Sequence, residues 1–127
     1  MEPPREAVLT QLRKGVVEYC VLASLRGAPA YGLEIAQRFG TGNVLLASEG
    51  TLYPLLSRLR AQGWVTTTLQ PSPVGPARRY YELTKEGRAA LDVFRAAWQV
   101  FAADVNTALT EPEILKENQP CLAKDQP

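Results

Sequence analysis

The chain has 127 residues, a formal net charge of +1 and an ordinary globular composition, with 46% hydrophobic and 21% charged residues. This length favours a single domain that buries roughly two thirds of its unfolded surface. The absence of histidine removes the usual general base, the histidine-activated nucleophiles and the commonest zinc ligand. We therefore expect no enzyme, no metal site and no cofactor.

Cysteine usage and hydropathy indicate a cytoplasmic protein. Cys20 and Cys121 stand far apart in the chain without any CxxC spacing, which favours a reducing compartment. No apolar stretch reaches the roughly 18 residues that a bilayer span needs, and the first residues lack signal-peptide features. Up to Arg95 the chain carries twelve basic and eight acidic residues, and residues 96–127 carry two and five. A mildly basic body thus precedes an acidic tail.

Apolar periodicity predicts three helices in the first half of the chain. The first runs from about Val8 to Arg26 and is apolar on two faces, so we expect it to pack on its own domain and on something else. A second, shorter helix covers Tyr31 to Phe39. The third is about 14 residues long, begins near Ser48 and stops at Gly63.

The second half of the chain predicts a hairpin and one long helix. Val65 to Leu69 and Arg79 to Leu83 read as strands on either side of the Pro/Gly-rich segment Pro71 to Pro76. Thr84 follows and supplies a helix cap. The last helix then continues to about Leu109.

The last helix has an apolar stripe with heptad spacing. Successive members of the stripe are separated by three or four residues, as at the a and d positions of a coiled coil. Its aromatic bulk exceeds what the flank of a small domain requires, which favours a dimer contact over packing on its own domain alone. With two residues of the first helix, the predicted dimer or effector surface comprises Leu12, Val16, Leu91, Phe94, Trp98, Phe101 and Val105.

The element order is that of a winged helix-turn-helix, mainly α with a small β-hairpin, followed by a C-terminal dimerisation helix. We assign residues 1–88 to the winged helix-turn-helix DNA-binding domain, 89–110 to the dimerisation helix and 111–127 to an irregular tail. Winged helices also serve as protein-interaction modules, so the order of elements does not decide the function.

Several strings of residues resemble PadR-type transcriptional regulators over about residues 9–109. They are LRKG at 12–15, AYGLEI at 30–35, EGTLYPLLSRL at 49–59, GWV at 63–65 and RRYYELTKEG at 78–87. The single short C-terminal helix is similar to the smaller branch of that family. The proline-heavy segment Pro71 to Pro76 departs from it, since members often carry glycine and charged residues there.

The resemblance implies a homodimeric repressor that binds a pseudo-palindromic operator in double-stranded DNA, without contact to a membrane. Members of the family dimerise through the C-terminal helix, which packs with the partner's first helix, and some bind aromatic ligands at that interface. Trp98 occupies the position where one branch stacks such ligands, so a planar aromatic small molecule is a candidate effector. Plain packing of Trp98 in the dimer core is the alternative.

The physics of the third helix supports DNA binding independently of the resemblance. With its leucines facing inward, the residues near its N-terminus face the major groove, and hydroxyls there reach phosphates or bases. Strand alternation sends one of two adjacent arginines to each face of the hairpin. An amide and a hydroxyl at the start of the second helix bind a phosphate. The predicted DNA-contacting residues are Tyr31, Gly32, Ser48, Glu49, Thr51, Tyr53, Ser57, Arg58, Arg78 and Arg79.

Two alternatives remain open from the residues themselves. Glu49 either stabilises the dipole of its helix or accepts a hydrogen bond from a cytosine amino group. The whole chain is alternatively a winged-helix adaptor that contacts an acidic protein without specific DNA binding. The near-neutral net charge favours the adaptor, whereas the hydroxyls and arginines of the third helix disfavour it.

Overall fold

A computed structural model describes residues 1–40, 42–46 and 48–110, so the predicted irregular tail at 111–127 lies outside the described residues. The described part contains five helices and a three-stranded sheet, which confirms the predicted fold class. In chain order the elements are α1 (Arg5–Arg13), α2 (Val17–Ser24), β1 (Ala30–Tyr31), α3 (Gly32–Phe39), α4 (Glu49–Ala61), β2 (Val65–Gln70), β3 (Arg78–Leu83) and α5 (Lys85–Ala108).

The predicted single helix from Val8 to Arg26 is two helices, and that prediction was wrong. α1 ends at Arg13, after which Lys14 adopts an extended conformation and Gly15 has φ 77°. A left-handed backbone costs other L-residues roughly 1–2 kcal/mol but costs glycine little. Gly15 therefore interrupts the helix, and the apolar periodicity on both sides of it hides the break.

The core lies between α2, α3, α4 and the inner face of the sheet. α4 buries four leucines at helical spacing, and α2 and α3 contribute residues that are fully enclosed. Each such side chain stabilises the fold by roughly 1.5–3 kcal/mol relative to its exposed state. The largest fully buried residues are Val21, Leu22, Ile35, Leu52, Leu56, Leu59 and Leu91.

The sheet is antiparallel with the strand order β1-β3-β2, so the predicted hairpin gains a third strand. β1 has two residues, too few for a periodic signal, and pairs Ala30 with Tyr81 and Tyr31 with Tyr80. Because side chains alternate between faces, Ala30 and Tyr81 lie on the buried inner face, and Tyr31 and Tyr80 share the outer face.

The junction between the sheet and α5 is held by one polar residue and one glycine. Thr84 caps α5 as predicted: its Oγ1 accepts from the amide of Gly87 at 3.0 Å and donates to the carbonyl of Gly63 at 2.7 Å. Its own amide donates to the carbonyl oxygen of Trp64 at 3.1 Å. A Cβ at Gly87 would lie 2.0 Å from that same oxygen, so only glycine fits there.

The chain divides into two compact units, Met1–Val93 and Phe94–Pro127, and α5 contributes to both. Leu91, in the first unit, is 2% exposed and belongs to its hydrophobic core. Its assignment to the dimer or effector surface was therefore wrong, because Leu91 packs in the intrachain core. Within the described residues, no helix combines the length and apolar character that a membrane span needs.

Candidate nucleic-acid interface

α4 presents a polar face on the side opposite its buried leucines. Ser48 stands before the helix in an extended conformation, and the helix begins at Glu49. The hydroxyl of Thr51 donates to the carbonyl oxygen of Ser48 at 2.7 Å. Because its proton is used in this bond, the hydroxyl can only accept a hydrogen bond from a further partner. Every residue predicted on this face is exposed: Ser48, Glu49, Thr51, Tyr53 and Ser57.

Tyr53 brings α4 into contact with the start of α3. Its ring and hydroxyl lie 2.7–3.0 Å from the point that a Cβ of Gly32 would occupy. Gly32 is buried beneath the ring, and Tyr53 itself remains half exposed. Tyr53 of α4 and Gly32 of α3, which were predicted as separate DNA contacts, are thus neighbours. Glycine at position 32 makes room for the tyrosine ring.

The start of α3 is only partly available to a ligand. The backbone amide of Tyr31 donates to Oε1 of Glu34 at 3.2 Å, as in a capping box. That amide therefore already has a partner, which differs from the prediction that a backbone amide at this position binds phosphate. The ring of Tyr31 is partly exposed.

Arg58 lies further along α4 and pairs with a carboxylate of α2. Its Nη2 is 3.1 Å from Oε1 of Glu18, and its side chain stays 58% exposed. Glu18 is half-buried, but the pair remains open to solvent on the side of Arg58. A surface pair of this kind contributes about 0–1 kcal/mol, so exchanging the carboxylate for a phosphate costs little. No sequence pattern indicates Glu18 as this partner, because 40 residues separate it from Arg58 in the chain.

The two arginines of β3 lie on opposite faces of the sheet, as strand alternation predicted. Arg79 is exposed and donates from Nη1 to the hydroxyl of Thr67, on the neighbouring strand β2, at 3.1 Å. Arg78 lies on the outer face, where its guanidinium carbon is 4.4 Å from the ring centroid of Tyr31. The ring of Tyr80 meets that of Tyr31 edge to face, with centroids 5.4 Å apart.

The described part of the second unit carries a row of apolar and aromatic side chains. Trp98 stacks on Phe94 with centroids 5.9 Å apart, and it also lies 6.2 Å from the ring of Phe101. Trp98 is 43% and Phe101 63% exposed, and Val105 is also exposed. In the first unit, Leu12 is exposed and Val16 half-buried. So much aromatic surface in water is typical of an interaction surface.

Comparison with known proteins places this geometry in a family. Residues 21–93 match the transcriptional regulator PadR-like family. The curated transcriptional regulator Rv3488 of Mycobacterium tuberculosis is 47% identical over 58 residues, which are 46% of this chain and 53% of that protein. The match thus spans about half the length of this curated relative.

Solved structures extend the similarity over most of the chain. A PadR-like transcriptional regulator from Bacillus cereus is 34% identical with a TM-score of 0.69, over 80% of this chain and 98% of that one. A PadR family transcriptional regulator from Eggerthella lenta is 31% identical with a TM-score of 0.71, over 81% and 89% of the two chains. The chain therefore belongs to the PadR-like family of transcriptional regulators.

Proposed function

We propose that this regulator binds duplex DNA as a homodimer, with α4 in the major groove and the β2–β3 hairpin beside it, and that it represses transcription. The observation that supports this most is the exposed polar face of α4 opposite its buried leucines. A helix of this kind inserts its N-terminal residues toward base edges, while residues further along contact the backbone.

The surrounding charges suit phosphate contacts. Arg79 is exposed on β3, and Arg58 is more than half exposed despite its ion pair. Arginine binds phosphate oxygens through paired N–H donors. Glu49, the first residue of α4, is exposed there, and its carboxylate either favours the helix dipole or accepts from a cytosine amino group.

The homodimer is proposed to form through the exposed aromatic row of α5. Two copies of this surface bury Trp98, Phe101 and Val105 in an isologous contact, in which the same patch of each copy meets the other across a two-fold axis. Two-fold symmetry of the protein then requires a pseudo-palindromic operator. A planar aromatic effector that stacks on Trp98 changes DNA affinity only if it favours one spacing of the two α4 helices.

DNA binding is tested by fluorescence anisotropy on a labelled duplex of random sequence across a salt series. We expect the affinity to fall with rising salt because bound arginines release counterions. Arg79→Ala is expected to weaken binding on every sequence and to reduce the salt slope by about one. Tyr53→Ala is expected to weaken binding without unfolding the protein.

The matched control is Arg26→Ala, which removes the same charge from an exposed residue outside the proposed interface. It is expected to leave the salt slope unchanged. Selection of bound sequences from a random duplex pool then identifies the operator, which we expect to be pseudo-palindromic. Wild-type affinity in both Arg79→Ala and Tyr53→Ala would favour the adaptor that contacts an acidic protein.

The dimer and the effector are tested by separate measurements. Phe101→Glu places a charge on the apolar row and is expected to halve the sedimenting mass, whereas Gln99→Glu adds the same charge and is expected not to. Effector binding is read from Trp98 emission in a Trp64→Phe background, with planar cationic and phenolic compounds. A ligand that quenches Trp98 without changing operator affinity would refute the effector role.

A further inference from the structure

We infer that Tyr31 is a positioning residue for Arg78: the face of its ring holds the guanidinium in place for a DNA phosphate. This inference rests on the proposed DNA binding and adds to it the way in which one cation of the hairpin is oriented. It assigns the contribution of Tyr31 to its ring, and not to its hydroxyl or its backbone amide.

The geometry of the outer sheet face carries the inference. The guanidinium carbon of Arg78 lies 4.4 Å from the centroid of the Tyr31 ring, well within the roughly 6 Å over which a cation is attracted by the ring quadrupole. Tyr80 meets the same ring edge to face at 5.4 Å. The pairing of β1 with β3 fixes all three residues on one face, since Tyr31 is directly opposite Tyr80.

The stack leaves the charge of Arg78 usable. An aromatic ring carries no net counter-charge, so a guanidinium held over it keeps its positive charge and its N–H donors for phosphate oxygens. Arg78 is half-buried rather than freely extended. Less side-chain freedom is therefore lost when it binds, which is the usual gain from preorganisation.

The backbone of Tyr31 offers no free amide for a direct phosphate contact. Its amide already donates to Glu34, and its ring is in contact with both Arg78 and Tyr80. Arg79 provides the contrast on the same strand, because it donates one hydrogen bond to the hydroxyl of Thr67 on the other face of the sheet. A ring at position 31 therefore acts on Arg78 and not on Arg79.

The experiment measures the affinity of the full chain for a labelled random-sequence duplex at several salt concentrations. Tyr31→Phe keeps the ring and is expected to bind like the wild type. Tyr31→Leu removes the ring and is expected to lose roughly three- to tenfold in affinity. Because Arg78 keeps its charge in Tyr31→Leu, the salt slope is expected to stay unchanged, whereas Arg78→Ala reduces it by about one.

Two double-mutant cycles separate positioning from a general structural effect. Adding Tyr31→Leu to Arg78→Ala is expected to change the affinity by less than about twofold. Adding it to Arg79→Ala is expected to lower the affinity by the same roughly three- to tenfold as in the wild type. A variant that only loosened the sheet would lower the affinity equally in both backgrounds, and this result would overturn the inference. Thermal unfolding of each variant establishes that it is folded at the temperature of the assay.

Failure of the proposed DNA binding and failure of the positioning role give different results. If the wild type does not bind duplex DNA, both proposals fall. If the wild type binds and Tyr31→Phe loses as much as Tyr31→Leu, the hydroxyl is responsible and only the positioning role is refuted. Unchanged affinity in Arg78→Ala refutes it too, because the cation that Tyr31 holds would then have no contact with DNA.

Discussion

Replacing Gly87 by alanine tests how closely α5 approaches the start of the hairpin. The added Cβ would lie 2.0 Å from the carbonyl oxygen of Trp64 and 3.0 Å from Cδ1 of Leu83. The oxygen belongs to the backbone and accepts a hydrogen bond from Thr84, so it does not rotate away as a side chain would. The two segments must separate by more than 1 Å to reach ordinary van der Waals contact.

Two effects of the alanine lower the free energy of unfolding, and one effect raises it. Overpacking of a tight contact costs about 1–3 kcal/mol, and disruption of the Thr84 cap costs about 1 kcal/mol. Alanine recovers up to about 1 kcal/mol through its higher helix propensity. We therefore expect Gly87→Ala to lower the free energy of unfolding by about 2 kcal/mol, and the melting temperature by roughly 10 °C.

The assay is thermal unfolding followed by circular dichroism, with all variants at one protein concentration because the proposed dimer would make the apparent stability depend on concentration. The matched control is Gly50→Ala in the first turn of α4, where the nearest atom is Oγ of Ser48 at 3.7 Å. We expect that variant to be neutral or more stable by up to about 1 kcal/mol. A Gly87→Ala protein as stable as Gly50→Ala would refute the close approach.

Three further predictions concern the core and the surface of the first unit. Leu91→Ala is expected to lower the free energy of unfolding in urea by about 2–5 kcal/mol because Leu91 is enclosed. The control Val93→Ala, at a 71% exposed site on the same helix, is expected to change it by less than about 0.5 kcal/mol. Equal losses would contradict the core assignment. Burial raises the pKa of the Cys20 thiol, so alkylation of this cysteine, followed by peptide mapping, should be faster in denaturant than in the folded protein at pH 8. The folded state binds the Cys20 proton more tightly than the unfolded state, and this difference contributes to stability. The contribution is complete below the ordinary thiol pKa and declines as the pH rises through the raised pKa of the folded protein. Cys20→Ala should lack this decline. Glu18→Gln removes the half-buried carboxylate that pairs with the exposed Arg58 and is expected to lower the stability by less than about 1 kcal/mol. A larger loss would show that the pair is more than a surface contact.

The sequence by itself determined the elements that local chemistry specifies. The leucine spacing of α4 and the glycine at position 63 predicted that helix closely, and two β-rich segments around prolines predicted the hairpin. The Thr84 cap was also predicted, because a cap depends on residues within one turn of each other. The strings that resemble PadR regulators identified the family over the region that the comparisons match.

The tertiary structure alone decided the features that depend on distant neighbours. Gly15 divides the first helix through a backbone conformation that apolar periodicity does not register. Leu91 follows the heptad spacing of its stripe, yet it is enclosed by the core of the first unit because of where the hairpin places the start of α5. The stack of Arg78 on Tyr31 requires the pairing of β1 with β3, which are about 50 residues apart. Hydrophobic patterning reports whether a residue prefers burial, but the residues that enclose it are set by chain segments brought together only on folding.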